Sequence, residues 1–183
     1  MIAAMTPPSH IIIGADTADF PRLAQLEAAG DAQFPPGRLP GEPGSDNVPV
    51  AELEAGRADG LLWIAVANDG SRGTDAALRA DGFALCVRRG RHLHLRQLVV
   101  EPSLQRRGIG TSFIERVLAE AADRGCSAVT LTTFSDISWN GPYYRQQGFR
   151  PMEWNELSME LRQNLEAERE AGMRERIAMI RLI

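Results

Sequence analysis

No lysine occurs among the 183 residues; all 20 basic side chains are arginine. That excludes lysine Schiff-base chemistry and the phosphate loop built on a Gly-Lys-Ser/Thr triplet. A coding bias toward arginine is its simplest reason. Cysteine is scarce: Cys86 and Cys126 sit beside apolar runs and are expected as buried free thiols in a reducing compartment. With three histidines and no Cys-x-x-Cys, no metal site is expected. No apolar run reaches the roughly 18 residues of a membrane span. The opening MIAAMTPPSH also lacks the positive segment and long apolar run of a signal peptide. A soluble, cytoplasmic chain without membrane contact is expected. The net charge of −4 argues against nucleic acid as a partner.

The remaining composition, 44% hydrophobic and 24% charged, is that of an ordinary globular domain with a sizeable core. Residues 1–9 are expected as a flexible N-terminus and 10–183 as one domain. HIIIG (10–14) reads as a strand. A helix follows, with Thr17 or Asp19 to cap it, Pro21 in its first turn and Phe20, Leu23 and Leu26 as its apolar stripe. Residues 35–49 hold five prolines and three glycines and read as a mobile loop. A short helix is expected in VAELEAGRADG, then strands over 61–69, 81–89 and 92–100. Only Gly90 and Arg91 separate the last two, a hairpin signal.

The clearest helix starts at Ile109, with Phe113, Val117 and Ala121 at helical spacing and Gly125 as its stop. Residues 127–134 follow as a strand that should run parallel to 92–100. WNGPYYRQQG reads as loop into short helix, FRPMEW as a strand, NELSMELRQNLEAEREAG as a charged helix and RERIAMIRLI as a last strand. The order gives an α/β (α+β) fold with a mixed, mostly antiparallel central sheet and helices on both faces.

Gln105, Arg106, Arg107, Gly108, Ile109, Gly110 and Thr111 form the turn into that clearest helix. The first amides of a helix have no intrahelical partners, which makes the turn an anion site. Glycines let an anion approach and permit positive φ. One helix terminus contributes only about 0.3–1 kcal/mol to an exposed charge, so several amides must converge. The dinucleotide fingerprint is a poorer fit, because its third glycine falls on Phe113. An isolated Gly-x-Gly with exposed arginines is, by itself, more often only a turn.

Its neighbourhood changes that weighting. LRQLVVEPSLQRRGIGTSFIERVL resembles the signature of the GCN5-related N-acetyltransferases, a strand ending Val-x-Pro, then Gln/Arg-x-x-Gly-x-Gly/Ala and a helix. WNGPYYRQQGF is similar to that family's second motif, ending Tyr-x-x-x-Gly-Phe. The two span 92–152, and their separation by one helix and one strand also agrees. The resemblance implies an acyl-CoA N-acyltransferase fold that splays at Leu98–Val100. It implies acetyl-CoA as donor, with its pyrophosphate on the amides of 106–111 and its pantetheine paired to the backbone of Leu98, Val99 and Val100. An amine acceptor is implied as the second substrate; a homodimer is one option for assembly.

Acetyl transfer needs a neutral amine, a stabilised oxyanion and a proton for the leaving thiolate. Tyr144, four residues before Gly148, matches the family's tyrosine acid; packing under the short helix is its bland alternative. Asn140 either orients cofactor or substrate, or simply forms the turn before Gly141-Pro142. The base is harder to find, because neither HLHLRQLVV nor TLTTF contains Asp or Glu. His94 is the best titratable group left, although a hydrogen-bonded strand histidine is the commoner outcome. A low-pKa amine needs no base, since positioning supplies much of the acceleration. Cys126 reads as a small buried residue, and Glu160–Glu170 as a solvated face that also borders the acceptor if the family's pattern holds. The expected activity is N-acetylation of a primary amine on a small molecule or protein. The alternative is a silent acyl-CoA-binding regulatory or sensor module.

Overall fold

The computed structural model describes residues 10–68 and 80–183. The expected flexible start, 1–9, and the end of the 61–69 strand lie outside them. One seven-stranded sheet forms from β1 (His10–Gly14), β2 (Leu62–Ala67), β3 (Gly82–Arg89), β4 (His92–Val100), β5 (Ala128–Phe134), β6 (Arg150–Pro151) and β7 (Arg176–Leu182). Its spatial order is β1-β2-β3-β4-β5-β7-β6, and β4–β5 is the parallel pair. The hairpin at Gly90-Arg91 and the parallel crossover both match the sequence pattern.

Helices cover both faces. α1 (Phe20–Asp31) and α2 (Val50–Ala58) bury Leu23, Leu26 and Leu53 against Ile64, Phe83 and Leu85. On the other face α3 (Ile109–Asp123) lays Ile109, Phe113, Val117 and Ala121 on Leu93, Leu95 and Val129. Four apolar residues at i, i+4, i+8 and i+12 make this stripe one face of a helix. Gly125, at φ +65°, ends it, and Cys126 N–H returns to Ala121 O at 2.8 Å. α4 (Gly141–Gln146) follows β5, and α5 (Met159–Glu170) packs on β7 through Leu161.

Three local expectations are corrected. FRPMEW contributes only two strand residues, because Pro151 lacks an N–H and the segment sits at the sheet edge. Asp19 holds the N-cap position of α1 but does not cap it through its side chain; its carboxylate takes the Asp16 N–H at 2.8 Å in a preceding turn. The loop expected to be mobile is tied down at several points. Asp31 Oδ2 accepts from Gly44 N–H, and Arg38 pairs with Asp136.

The feature that shapes the site is the parting of β4 from β5. The two pair from His92–Ala128 to Leu95–Leu131 and no further. Beyond that point β4 stays with β3, while β5 stays with β7. A bulge opposite Leu85/Cys86 leaves Arg96 as the extra residue on β4, since Leu95 pairs with Cys86 and Gln97 with Leu85. Leu93 and Leu95 face the α3 core before the bulge, and Leu98 and Val100 face it after. The splay thus begins at Arg96, two residues before the expected Leu98.

Gln97 is turned toward α1, where its amide donates to Glu27 Oε1 at 2.7 Å; Val48 N–H meets the same carboxylate at 3.1 Å. Glu27 is 3% exposed, and burial raises its pKa despite these donors. A raised acid pKa adds stability that is full below the unfolded value near 4.5 and lost as pH rises through the folded one. The ionised form is the one that needs Gln97. Gln97→Ala is therefore expected to lower unfolding free energy by about 1–3 kcal/mol. The deficit should be larger at pH 8 than at pH 4, as read by urea melts at both.

Candidate functional site

The turn entering α3 is built to expose amides. Pro102–Leu104 forms a single 3-10 turn, and Gln105 Nε2 donates back to Val100 O at 3.2 Å, tying the turn to the end of β4. Arg106 sits at φ +60° and Gly108 at φ +87°. A non-glycine residue in the left-handed region is uncommon and marks a constrained functional turn. The first helical bond runs from Ser112 N–H to Gly108 O, so the amides of Ile109, Gly110 and Thr111 precede the ladder. Arg106, Arg107 and Gly108 are exposed. No described atom lies within 4 Å of a β-carbon placed on Gly108, so that side of the turn is open.

Beside it, alternate backbone groups of Leu98, Val99 and Val100 face the gap left by β5. A strand edge with unpaired N–H and C=O groups is a template for an extended partner. The turn, this edge and α4 all line one cleft of about 1350 Å³.

α4 brings two tyrosines to the cleft. The Tyr144 ring packs on Phe149, with centroids 5.8 Å apart, and on Tyr143 at 5.3 Å. Burial pushes the Tyr144 pKa up, and neighbouring Tyr143 adds to the shift. Such a phenol keeps its proton at neutral pH, as an acid must until it donates. Asn140, at the start of α4, accepts from Thr133 Oγ1 at 2.7 Å. Its carbonyl is thus engaged in joining α4 to the end of β5.

His94 belongs to the closed part of the sheet. It lies opposite Thr130, one pair before β4 and β5 separate, and is 2% exposed. Nδ1 is 3.1 Å from Thr130 Oγ1. Burial, helped by Arg89 and Arg96, lowers its pKa to about 3. An imidazole so placed is a poor proton acceptor at neutral pH, in keeping with the hydrogen-bonded strand histidine named as the commoner outcome. Cys126 is buried at 5% exposure, and Cys86 at 1%.

A carboxylate does reach the parted strands, from an element read as a solvated face. Glu168 on α5 accepts from Thr132 Oγ1 at 3.1 Å, one residue beyond the last β4–β5 pair. Arg176 of β7 grips it with Nε and Nη2, each at 2.8 Å. Glu168 stands seven residues after Leu161 with Leu165 between, on the helix face that packs inward. That spacing was the signal available in the sequence. The opposite wall comes from the 35–49 loop and its neighbours. Phe34 meets Phe134 at 5.5 Å and Trp139 at 6.1 Å, and the Arg38 guanidinium lies 4.8 Å from the Phe134 ring centre. Composition alone could not place these groups, because their meeting depends on how the loop closes.

Among the described residues no group of His, Cys, Asp and Glu is arranged to hold a metal ion. No described helix is long and apolar enough to cross a membrane.

Comparison with known proteins agrees with this layout. The profile of the acetyltransferase (GNAT) family matches residues 39–149, more than half of the chain. The fold is similar to N-acetylglutamate synthase from Neisseria gonorrhoeae in complex with coenzyme A and N-acetyl-glutamate. The TM-score is 0.69 at 19% identity, over 94% of this chain and 35% of that one. This chain thus spans about a third of that synthase. It is also similar to the ribosomal-protein-S18-alanine N-acetyltransferase of Escherichia coli (TM-score 0.61, 17% identity, 95% of this chain and 94% of that one). A third likeness is Arabidopsis thaliana Naa50 bound to the bisubstrate analogue CoA-Ac-MVNAL (TM-score 0.61, 15% identity, 96% and 99%).

The His94 shift makes a testable statement about stability. Its folded pKa is below the unfolded value of 6.5, so protons favour the unfolded chain between the two. Stability from this residue is complete above about pH 6.5 and declines as pH falls toward 3. In His94→Gln the drop in thermal midpoint between pH 7 and pH 5 should be smaller than in the parent. An equal drop in both would show that His94 is not held neutral.

Proposed function

This chain belongs to the acetyltransferase (GNAT) family, its domain is that of an acetyl-CoA-dependent N-acetyltransferase, and we propose that its acceptor is a primary α-amine. The amides of 106–111 bind the pyrophosphate of acetyl-CoA, with Gln105 bracing the turn and Arg106 and Arg107 adding positive charge. The pantetheine arm pairs with the edge of β4 at Leu98–Val100, which carries the thioester to the point where β4 and β5 part. Tyr144 donates the proton to the departing thiolate. Asn140 acts through structure, holding α4 to β5.

The observation that carries the choice of acceptor is that neither titratable group at the parting of β4 and β5 is a free base. His94 is buried, and Glu168 has both oxygens occupied by Arg176. An α-amine of pKa about 8 is already about a quarter neutral near pH 7.5, whereas an alkyl amine near 10.4 is neutral about once in a thousand. The gap is about 3 kcal/mol of barrier that a base would otherwise have to supply. Among the similar structures, one holds N-acetyl-glutamate, one is an S18-alanine N-acetyltransferase and one holds CoA-Ac-MVNAL, all consistent with α-amine chemistry. Glu168 and the aromatic wall of Phe34 and Trp139 border the acceptor end.

The missing base also favours one alternative, a cofactor-binding module without turnover. Thiol release from acetyl-CoA, measured against amino acids, N-terminal peptides and alkyl amines, separates the two. Release with α-amines is expected; release with none would support the module. The two buried thiols support a reducing, cytoplasmic setting. A monodisperse homodimer and the lack of a nucleic-acid partner are the further parts of this reading. Light scattering and gel-shift assays check them.

Substitutions in the turn and at Tyr144 test the machinery. Gly108→Val strains a residue at φ +87° and sends its side chain into the open space before the amides, so acetyl-CoA affinity should be lost in a folded protein. Alanine at Arg106 and Arg107 should weaken binding less, since exposed charges contribute about 0–1 kcal/mol. Tyr144→Phe should lower kcat by roughly 10²-fold or more with cofactor affinity retained. Unchanged kcat would return Tyr144 to a packing role.

A further inference from the structure

A second phenol is better placed for the cofactor than for packing. Tyr143 crosses from α4 to the first turn of α3, where a β-carbon on Gly110 would stand 2.8 Å from its Oη. The Oη is buried and has no hydrogen-bond partner among the described residues. The Thr111 hydroxyl lies close enough to favour the ionised phenol, yet the pair does not form a hydrogen bond of good geometry. Thr111 Oγ1 instead accepts from Gln147 Nε2 at 3.4 Å. Burial raises the Tyr143 pKa, so the group is a neutral donor at physiological pH.

A buried donor left unpaired costs roughly 1–3 kcal/mol, and such groups are rare without a functional reason. A phenylalanine at 143 would avoid that cost, and its ring carbon would be 3.5 Å from the Gly110 position, an ordinary contact. What the hydroxyl adds is therefore an unpartnered donor beside Gly110, in the first turn of α3.

We propose that the Tyr143 hydroxyl donates a hydrogen bond to a pyrophosphate oxygen of acetyl-CoA, and that residue 110 is glycine in order to admit this phenol. The proposal rests on the cofactor placement above. It assigns different reasons to the two glycines of the turn. Gly108 serves the backbone conformation and the open approach, while Gly110 makes room for the Tyr143 Oη.

The test is a double-mutant cycle on acetyl-CoA affinity by calorimetry, using Tyr143→Phe, Gly110→Ala and the pair, each checked for folding by circular dichroism. Tyr143→Phe should weaken acetyl-CoA binding about tenfold, the scale of a hydrogen bond to a charged group. Gly110→Ala should weaken it similarly by displacing the phenol, and the double variant should bind no worse than Tyr143→Phe alone. Acetyl-dephospho-CoA, which keeps the pyrophosphate, should show the same tenfold loss. Turnover of S-acetylpantetheine, which lacks it, should be unchanged within about twofold. Equal affinity of Tyr143→Phe and parent, additive losses in the pair, or an equal loss with S-acetylpantetheine would overturn the proposal. If the parent itself fails to bind acetyl-CoA, the cofactor placement falls and this proposal with it.

Discussion

Everything in the cleft follows from one break in a hydrogen-bond ladder. β4 and β5 hold together through Leu95–Leu131 and then separate, each kept in the sheet by its other neighbour. A strand edge in the middle of a sheet is costly unless something covers it, because buried backbone groups demand partners. The bulge at Arg96 helps the parting by adding twist and by resetting which side chains face α3. Beyond it, Leu98 and Val100 pack on the α3 core while β5 no longer pairs with their strand. On the proposed reading an apolar segment becomes a binding element without a single polar side chain.

The far end of the cleft is made by elements that lie outside this central unit. α5 reaches back to place Glu168 against Thr132, with Arg176 holding both its oxygens. From the other side, the proline- and glycine-rich loop is tied to α1 through the Asp31–Gly44 bond and to the end of β5 through Arg38 and Asp136. The Glu27 carboxylate joins the same loop to Gln97, on the strand that parts. The two sides of the cleft are therefore mechanically connected. This gives the buried carboxylate a structural purpose that its desolvation cost alone would not justify.

Much of this could be read from residue order. The apolar spacing of α3, the two-residue hairpin at Gly90-Arg91 and the glycine-rich turn each rest on local chemistry, which a sequence displays directly. The Tyr-x-x-x-Gly-Phe run placed Tyr144 near the cleft for the same reason. The burial of His94 depends on its β5 neighbour Thr130, 36 residues away, which residue order does not display. Glu168 was folded into a charged helix face, although its spacing from Leu161 marked it as inward. The approach of α4 to Gly110, which residue order does not display, decides where the Tyr143 hydroxyl goes. Long-range packing, not local pattern, decided each of these.

The account's central claim is that one cofactor lies along the end of β4 and across the turn into α3. Hydrogen–deuterium exchange with and without acetyl-CoA tests this most directly, because it reads backbone amides at both places at once. Slower exchange is predicted in segments 96–100 and 106–111, with β2 (62–67) unaffected. Protection of neither segment at saturating acetyl-CoA, or protection confined to another face of the sheet, would contradict the account.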